Sequence, residues 1–246
     1  MRIKMTIAYD GTGFYGYQIQ PSARSVQEEL EKALSRLHKG TVVRVSGSGR
    51  TDAKVHARGQ VIHFDTPLSI PEERWPKALN SILPEDIRVL AAEEVPDSFH
   101  ARFNACGKEY RYLIDLSPVQ DVFSRNYAYH YPYPLDLEKM EAAAVHLIGT
   151  HDFTAFCSAK TEIEDRIRTI SSISFSREGH LLTMSIRGNG FLYNMVRIIM
   201  GTLLDAGTGS TLPEELPRML HSRDRTRTGK TAPGHGLYLH RVFYDN

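Results

Sequence analysis

Two well-separated stretches of the chain follow one plan. KMTIAYD, from Lys4, and KEYRYLID, from Lys108, each start with lysine, alternate along their length and end in aspartate. A period of two marks a strand with one buried and one solvated face, as antiparallel sheets provide. In the first cycle, SVQEELEKALSRLHKG supplies a helix. Ser25 and Glu28 form a capping box, Val26, Leu30, Ala33, Leu34 and Leu37 make its apolar face, and Gly40 stops it. VVRVSGS and GQVIHFD read as strands, PEERWPKALNSIL as a helix and IRVLAAEEV as a strand. In the second cycle, LDLEKMEAAAVHLIG is a helix and TISSISFSRE with HLLTMSIRG a hairpin. NGFLYNMVRIIMGTLLDAG is a long helix, and GLYLHRVFYD is a closing strand. The expected architecture is α+β, with two similar halves at 1–104 and 105–246, each built on an antiparallel sheet.

The bulk numbers suit such a fold. Of 246 residues, 41% are hydrophobic and 24% charged, enough apolar matter for a core. Thirty basic and 29 acidic side chains leave a net charge of +1, so any nucleic-acid function must reside in a local patch. RMLHSRDRTRTGK, residues 218–230, is one such patch: Arg218, Arg223, Arg225, Arg227 and Lys230 stand against Asp224 alone. A solvated loop accounts for it as well as a phosphate-binding surface does. Cys106 and Cys157 lack a CxxC spacing or a disulfide framework. The start, MRIKMTIAYD, has no signal-peptide core, and GNGFLYNMVRIIMGTLL is short for a membrane span and holds Arg197. A soluble cytoplasmic protein without a membrane segment is expected.

Several motifs fail on inspection. Gly11, Gly13 and Gly16 satisfy GxGxxG after a strand, but aromatic residues follow where a dinucleotide site needs a helix. GSGRT lacks the GK[ST] of a phosphate-binding loop, His151-Asp152 has no clustered ligands for a metal, and no serine sits in GxSxG. Three features survive. SGSGRTDAKVHARGQVIHFD sets one carboxylate, Asp52, between Arg50 and Lys54, as a solvated turn or as a reactive group. Arg197 is the only charge between Gly188 and Leu204; it is either buried with a carboxylate partner or snorkelling to water. Alternation puts Tyr110 and Tyr112 on one face, as sheet packing or as a platform for a base.

GRTDAKVHARGQVIHFD resembles the signature of the tRNA pseudouridine synthase A family. YDGTGFYGYQIQ, KEYRYLI, GTHDFTAF, NGFLYNMVRIIMGTLL and TAPGHGLYLHRVFY match further blocks of that family in order, from residue 4 to 244. The resemblance implies the pseudouridine synthase fold, with RRM-like (ferredoxin-like) halves and a central catalytic cleft. It implies an isomerase that acts on uridines 38, 39 and 40 of the tRNA anticodon stem-loop, works as a homodimer and needs no cofactor or metal. By the same resemblance Asp52 is the nucleophile, Arg50 helps hold a flipped nucleotide, Tyr110 stacks on the base, Arg197 pairs with Asp52, and Leu237 packs against the uracil. The family usually has glycine where this chain has Lys54, which suggests a loop backbone suited to positive φ. Two rival readings stand beside the synthase. A non-catalytic tRNA-binding module would gain nothing from a carboxylate facing phosphates, and a hydrolase using Asp52 and His56 would lack a second carboxylate or a metal cluster.

Overall fold

The computed structural model describes residues 1–159 and 163–245. Its first elements are β1 (Arg2–Tyr9), α1 (Val26–Leu37), β2 (Ser46–Gly47), β3 (His56–Asp65), α2 (Trp75–Asn80) and β4 (Ile87–Val95). Then come β5 (Ala105–Asp115), β6 (Tyr129–His130), α3 (Leu137–Val145), β7 (Gly149–Asp152), β8 (Ile167–Glu178) and β9 (Leu181–Gly188). The chain ends with α4 (Met195–Gly207), α5 (Leu216–Ser222) and β10 (Leu237–Tyr244). These elements pack as two compact units, Met1–Cys106 with Tyr238–Asn246, and Gly107–Leu237. The class is α+β, as the alternating strands imply.

In the first unit β1 is central. It pairs antiparallel with β3 (Met5 opposite Ile62) and with β4 (Met5 opposite Ala92). Ile3, Met5, Ile7 and Tyr9 are buried on one face of β1, so the alternation legible in KMTIAYD is the burial alternation itself. On the other face Lys4 reaches Glu93 at 2.8 Å. Helix α1 buries Val26, Leu30, Ala33 and Leu34, and its N-cap Ser25 Oγ accepts the N–H of Glu28 at 3.4 Å. Trp75 opens α2 and is wholly buried, edge-on to Phe64 of β3 with centroids 5.5 Å apart. From Tyr238 onward the closing strand belongs to this unit, parallel to β3 with Tyr238 opposite His56.

One expected strand shrinks. VVRVSGS keeps only Ser46–Gly47 as β2. The N–H of Val45 donates to Glu31 Oε1 at 3.2 Å and its carbonyl accepts from Gln27 Nε2 at 3.4 Å. Side chains of α1 satisfy that backbone, so it takes no place in a ladder.

In the second unit β5 pairs antiparallel with β9 (Tyr110 opposite Ile186), and β8 and β9 form the expected hairpin. Glu178 faces Leu181 across a two-residue turn whose Gly179 has φ +59°. The edge strand β7 joins β8, and β6 lies parallel beside β5. Helix α4 is buried nearly all round, but it starts at Met195 rather than at Asn189. Asn194 takes φ +61°, and that left-handed residue separates the NGFLY loop from the helix.

Candidate active site

The loop carrying Asp52 is anchored from β3. Ser48 N–H donates to Val61 O at 2.7 Å, and Ser48 Oγ donates to Gln60 Oε1 at 2.7 Å. Gln60, wholly buried, returns its Nε2 to Gly49 O at 2.9 Å. Thr51 Oγ1 shares a buried 2.7 Å hydrogen bond with Tyr9 Oη. Burial pushes the Tyr9 phenol up to about 12, against the opposing bonds from Thr51 and Gln60. The N–H of Val55 donates to Asp52 O at 3.1 Å and closes the turn around the carboxylate. Leaving any of these buried groups unmatched costs about 1–3 kcal/mol, so the loop is held in one shape.

On its other side the Asp52 loop meets the segment from Asp10 to Tyr17, backbone against backbone. Tyr17 N–H donates to Thr51 O at 3.0 Å and Lys54 N–H to Phe14 O at 3.3 Å. A Cβ on Gly11 would stand 2.1 Å from Val55 O. One on Gly16, at φ +109°, would stand 3.0 Å from Thr51 O. The glycine spacing that mimics a dinucleotide fingerprint is therefore used to bring two loops together. Asp52 itself is half-buried, while Arg50 and Lys54 on either side are exposed. Lys54 has φ +64°. The backbone there takes the left-handed form that the glycine comparison suggests.

His56 Nδ1 accepts the N–H of Gly11 at 3.0 Å and lies 3.2 Å from Asp10 Oδ1, and its ring stacks on Tyr238 at 4.7 Å. These contacts give the imidazole a packing role at the base of the loop.

The other expected site residues lie in the second unit. Tyr110 is buried, edge-on to Phe191 with centroids 5.2 Å apart. Tyr112, wholly buried on the same face, donates its hydroxyl to Pro233 O at 2.7 Å. Burial raises the Tyr112 phenol pKa, and the positive charge of Arg197 opposes that rise. Arg197 is half-buried on α4. Its Nε donates to Ala232 O at 2.7 Å, its Nη1 to Asn194 Oδ1 at 2.8 Å, and its own carbonyl accepts from Ala232 N–H at 3.1 Å. The head group is braced, neither sunk among aliphatic groups nor swinging in water. Leu237, buried, ends the segment that begins at these Arg197 contacts and touches Tyr112 on the way. Arg197, Tyr112 and the run to Leu237 are thus tied together within this unit, and Asp52 and Arg50 share the loop of the first.

The basic patch divides. Arg223 Nε pairs with Asp152 Oδ2 at 2.9 Å, and Arg225 donates to Thr228 Oγ1 at 2.9 Å and to Thr231 Oγ1 at 3.0 Å. Arg218, His221, Ser222, Asp224 and Arg227 line a shallow depression of about 510 Å³. Asp152 of the His-Asp pair is thereby engaged, and among the described residues no three His, Cys, Asp or Glu side chains gather to hold a metal ion. Nor, among the described residues, is any helix long and apolar enough to cross a membrane. Reading from sequence passed over Tyr9, Gln60 and the Gly11–Gly16 contacts. The glycine spacing of DGTGFYG is a signal for the loop contacts alone, and nothing in the sequence marks Tyr9 or Gln60.

By architecture and site this is an α+β protein that presents a single carboxylate on a braced loop flanked by cations. Residues 5–104 and 143–245 match the family model for tRNA pseudouridine synthase. The tRNA pseudouridine synthases A of Bacillus pumilus (strain SAFR-032) and Bacillus subtilis (strain 168) are each 60% identical over 247 residues, spanning 100% of this chain and of each relative. That of Halalkalibacterium halodurans is 61% identical over 236 residues, 96% of this chain and 90% of the relative. The chain belongs to the tRNA pseudouridine synthase family.

Proposed function

We propose that the chain isomerises uridine to pseudouridine in the anticodon stem-loop of tRNA, at positions 38, 39 and 40, with Asp52 as the nucleophile. The observation that carries this reading is the loop. The loop that carries a lone carboxylate between Arg50 and Lys54 is held in one shape by buried hydrogen bonds and backbone contacts on two sides. Such bracing is what a covalent catalyst requires, and a solvated turn has no use for it. Full-length identity of 60% to proteins named tRNA pseudouridine synthase A supports the substrate class.

The chemistry balances without an outside reagent. The N1–C1′ bond breaks, the uracil turns, a C5–C1′ bond forms, C5 loses its proton and N1 gains one. Asp52 bonds to the nucleotide during the exchange and is released at the end. Nothing is oxidised and no group is transferred in, so the reaction requires no cofactor. A stacked uridine is out of reach of a side chain, and the nucleotide is flipped from its helix first. In this reading Arg50 holds the flipped backbone, Tyr110 offers its ring to the base, Arg197 supplies the charge that keeps Asp52 ionised, and Leu237 packs against the uracil. The working form is a homodimer.

The test is incubation of the purified protein with tRNA in plain buffer, followed by mapping of pseudouridine. Wild-type protein should convert anticodon-arm uridines. Asp52→Asn should bind tRNA and convert none, because the shape remains and only the nucleophile is lost. Normal turnover by Asp52→Asn would remove Asp52 from the chemistry. Binding without turnover by the wild type would leave a tRNA-binding module.

A further inference from the structure

Ser22, Lys39, Lys54, Asn194 and Arg223 adopt positive φ without being glycine. Four are accounted for away from Asp52. Lys39 follows α1 and Arg223 caps α5, where helices commonly end in a left-handed residue. Ser22 sits in the turn closed by the Gln20–Ala23 bridge, and asparagine visits this region readily. Lys54, like Ser22, lies in a turn, and it alone of the five stands two residues from Asp52. It is the third residue of the Asp52–Val55 turn, at φ +64°, where glycine would sit without steric cost.

The side chain kept there is a free cation in a stretch short of acids. Lys54 is exposed, and among the described residues no carboxylate pairs with it. From Ser46 to Asp65 the only acids are Asp52 and Asp65, and Asp65 is taken by Arg2 through two hydrogen bonds at 2.8 and 2.9 Å. The backbone of Lys54 is held by its bond to Phe14 O, in the same turn that carries Asp52, so the two residues leave one braced stretch of chain. Strain retained beside a reacting group is the pattern of a functional residue.

We propose that Lys54 is a substrate-positioning residue, whose ammonium engages a backbone phosphate flanking the uridine presented to Asp52. This rests on the reading of the chain as a tRNA pseudouridine synthase. A Lys head is suited to the task, as a compact point charge that holds a phosphate without needing a fixed orientation.

Three variants separate charge from strain. Lys54→Gly removes both, Lys54→Ala removes the charge and keeps the strain, and Lys54→Arg keeps both. With a tRNA transcript as probe, Gly and Ala should weaken binding about two- to fivefold at moderate salt and lower the salt slope of log Kd by about 0.7–0.9. The loss should appear in KM more than in kcat, and Arg should restore affinity and slope. Gly alone should also raise the unfolding temperature by roughly 1–4 °C, so that stability and binding move in opposite directions. A lysine without a phosphate contact would leave affinity and slope unchanged while Gly still raised stability. Wild-type affinity and slope in both Gly and Ala, or failure of Arg to restore them, would overturn the proposal. Absence of pseudouridine formation by the wild type would instead overturn the reading beneath it.

Discussion

Tyr9 Oη and Thr51 Oγ1 lie 2.7 Å apart, both buried, and this hydrogen bond ties strand β1 to the residue immediately before Asp52. Tyr9→Phe keeps the ring in the core and strips the bond, leaving the Thr51 hydroxyl to lose its partner. The expected cost is about 1–3 kcal/mol in urea unfolding, with a drop in turnover as the Asp52 loop loosens. The phenol also shapes the alkaline limb. Its folded pKa of about 12 exceeds the ordinary 10.0, so above pH 10 the unfolded chain sheds a proton that the folded chain keeps. Stability is full below pH 10 and falls as pH rises towards 12, and part of that fall should vanish in the Phe variant. An unchanged stability and pH profile would show that Tyr9 does not brace the loop.

Tyr110 packs edge-on to Phe191, so its ring belongs to the core as well as to the proposed site. Tyr110→Ala is expected to destabilise by about 3–5 kcal/mol, and its loss of activity would then say little about stacking. Tyr110→Phe keeps the ring and should retain fold and tRNA affinity. If the Phe variant binds normally and turns over nothing, the hydroxyl takes part in the chemistry, and stacking alone is the wrong account.

The arginines of the basic patch should separate by experiment as they do in space. Arg218→Gln with Arg227→Gln removes the two guanidinium groups that line the depression, and should flatten the salt dependence of tRNA binding by up to about 0.7–0.9 per lost phosphate contact. Arg223→Gln breaks an exposed pair with Asp152 and should cost about 0.2–1 kcal/mol of stability with a smaller change in slope. Filter binding over a salt series, beside thermal melts, distinguishes them. Equal slopes for wild type and the Arg218/Arg227 double variant would mark the depression as a solvated surface.

His63 should govern part of the acid limb. Burial, aided by the nearby charges of His100 and Arg2 and opposed by Asp65, lowers its pKa from 6.5 to about 4. Its Nδ1 accepts the N–H of Ala101 at 3.2 Å, a bond the neutral ring makes and the protonated ring cannot. Between pH 6.5 and 4 the unfolded chain takes up a proton that the folded chain refuses, so this contribution to stability is lost as pH falls through that window. His63→Gln keeps an acceptor without titrating and should flatten the urea midpoint between pH 4 and 6.5. A midpoint that drops as steeply as in the wild type would assign the acid limb to other groups.

Strands β1 and β5, helix α1 and the β8–β9 hairpin were legible in the chain itself. Alternation, a serine cap and a glycine turn act over a few residues and need no distant partner. The candidate residues Asp52, Tyr110 and Arg197 were legible too, as a carboxylate, a ring and a guanidinium in unusual company. Other features were decided only by tertiary structure. Val45 gave up a ladder because Glu31 and Gln27 of α1 satisfied its backbone. Asn194 delayed α4 by turning left-handed, and β10 went to the first unit to lie parallel to β3. The bracing of the Asp52 loop by Tyr9, Gln60 and two glycines depends on residues far apart in sequence meeting through backbone atoms and single hydrogen bonds. Contacts of that kind carry almost no hydropathy signal, because every residue has the same backbone and only the fold chooses which carbonyl a glycine will face.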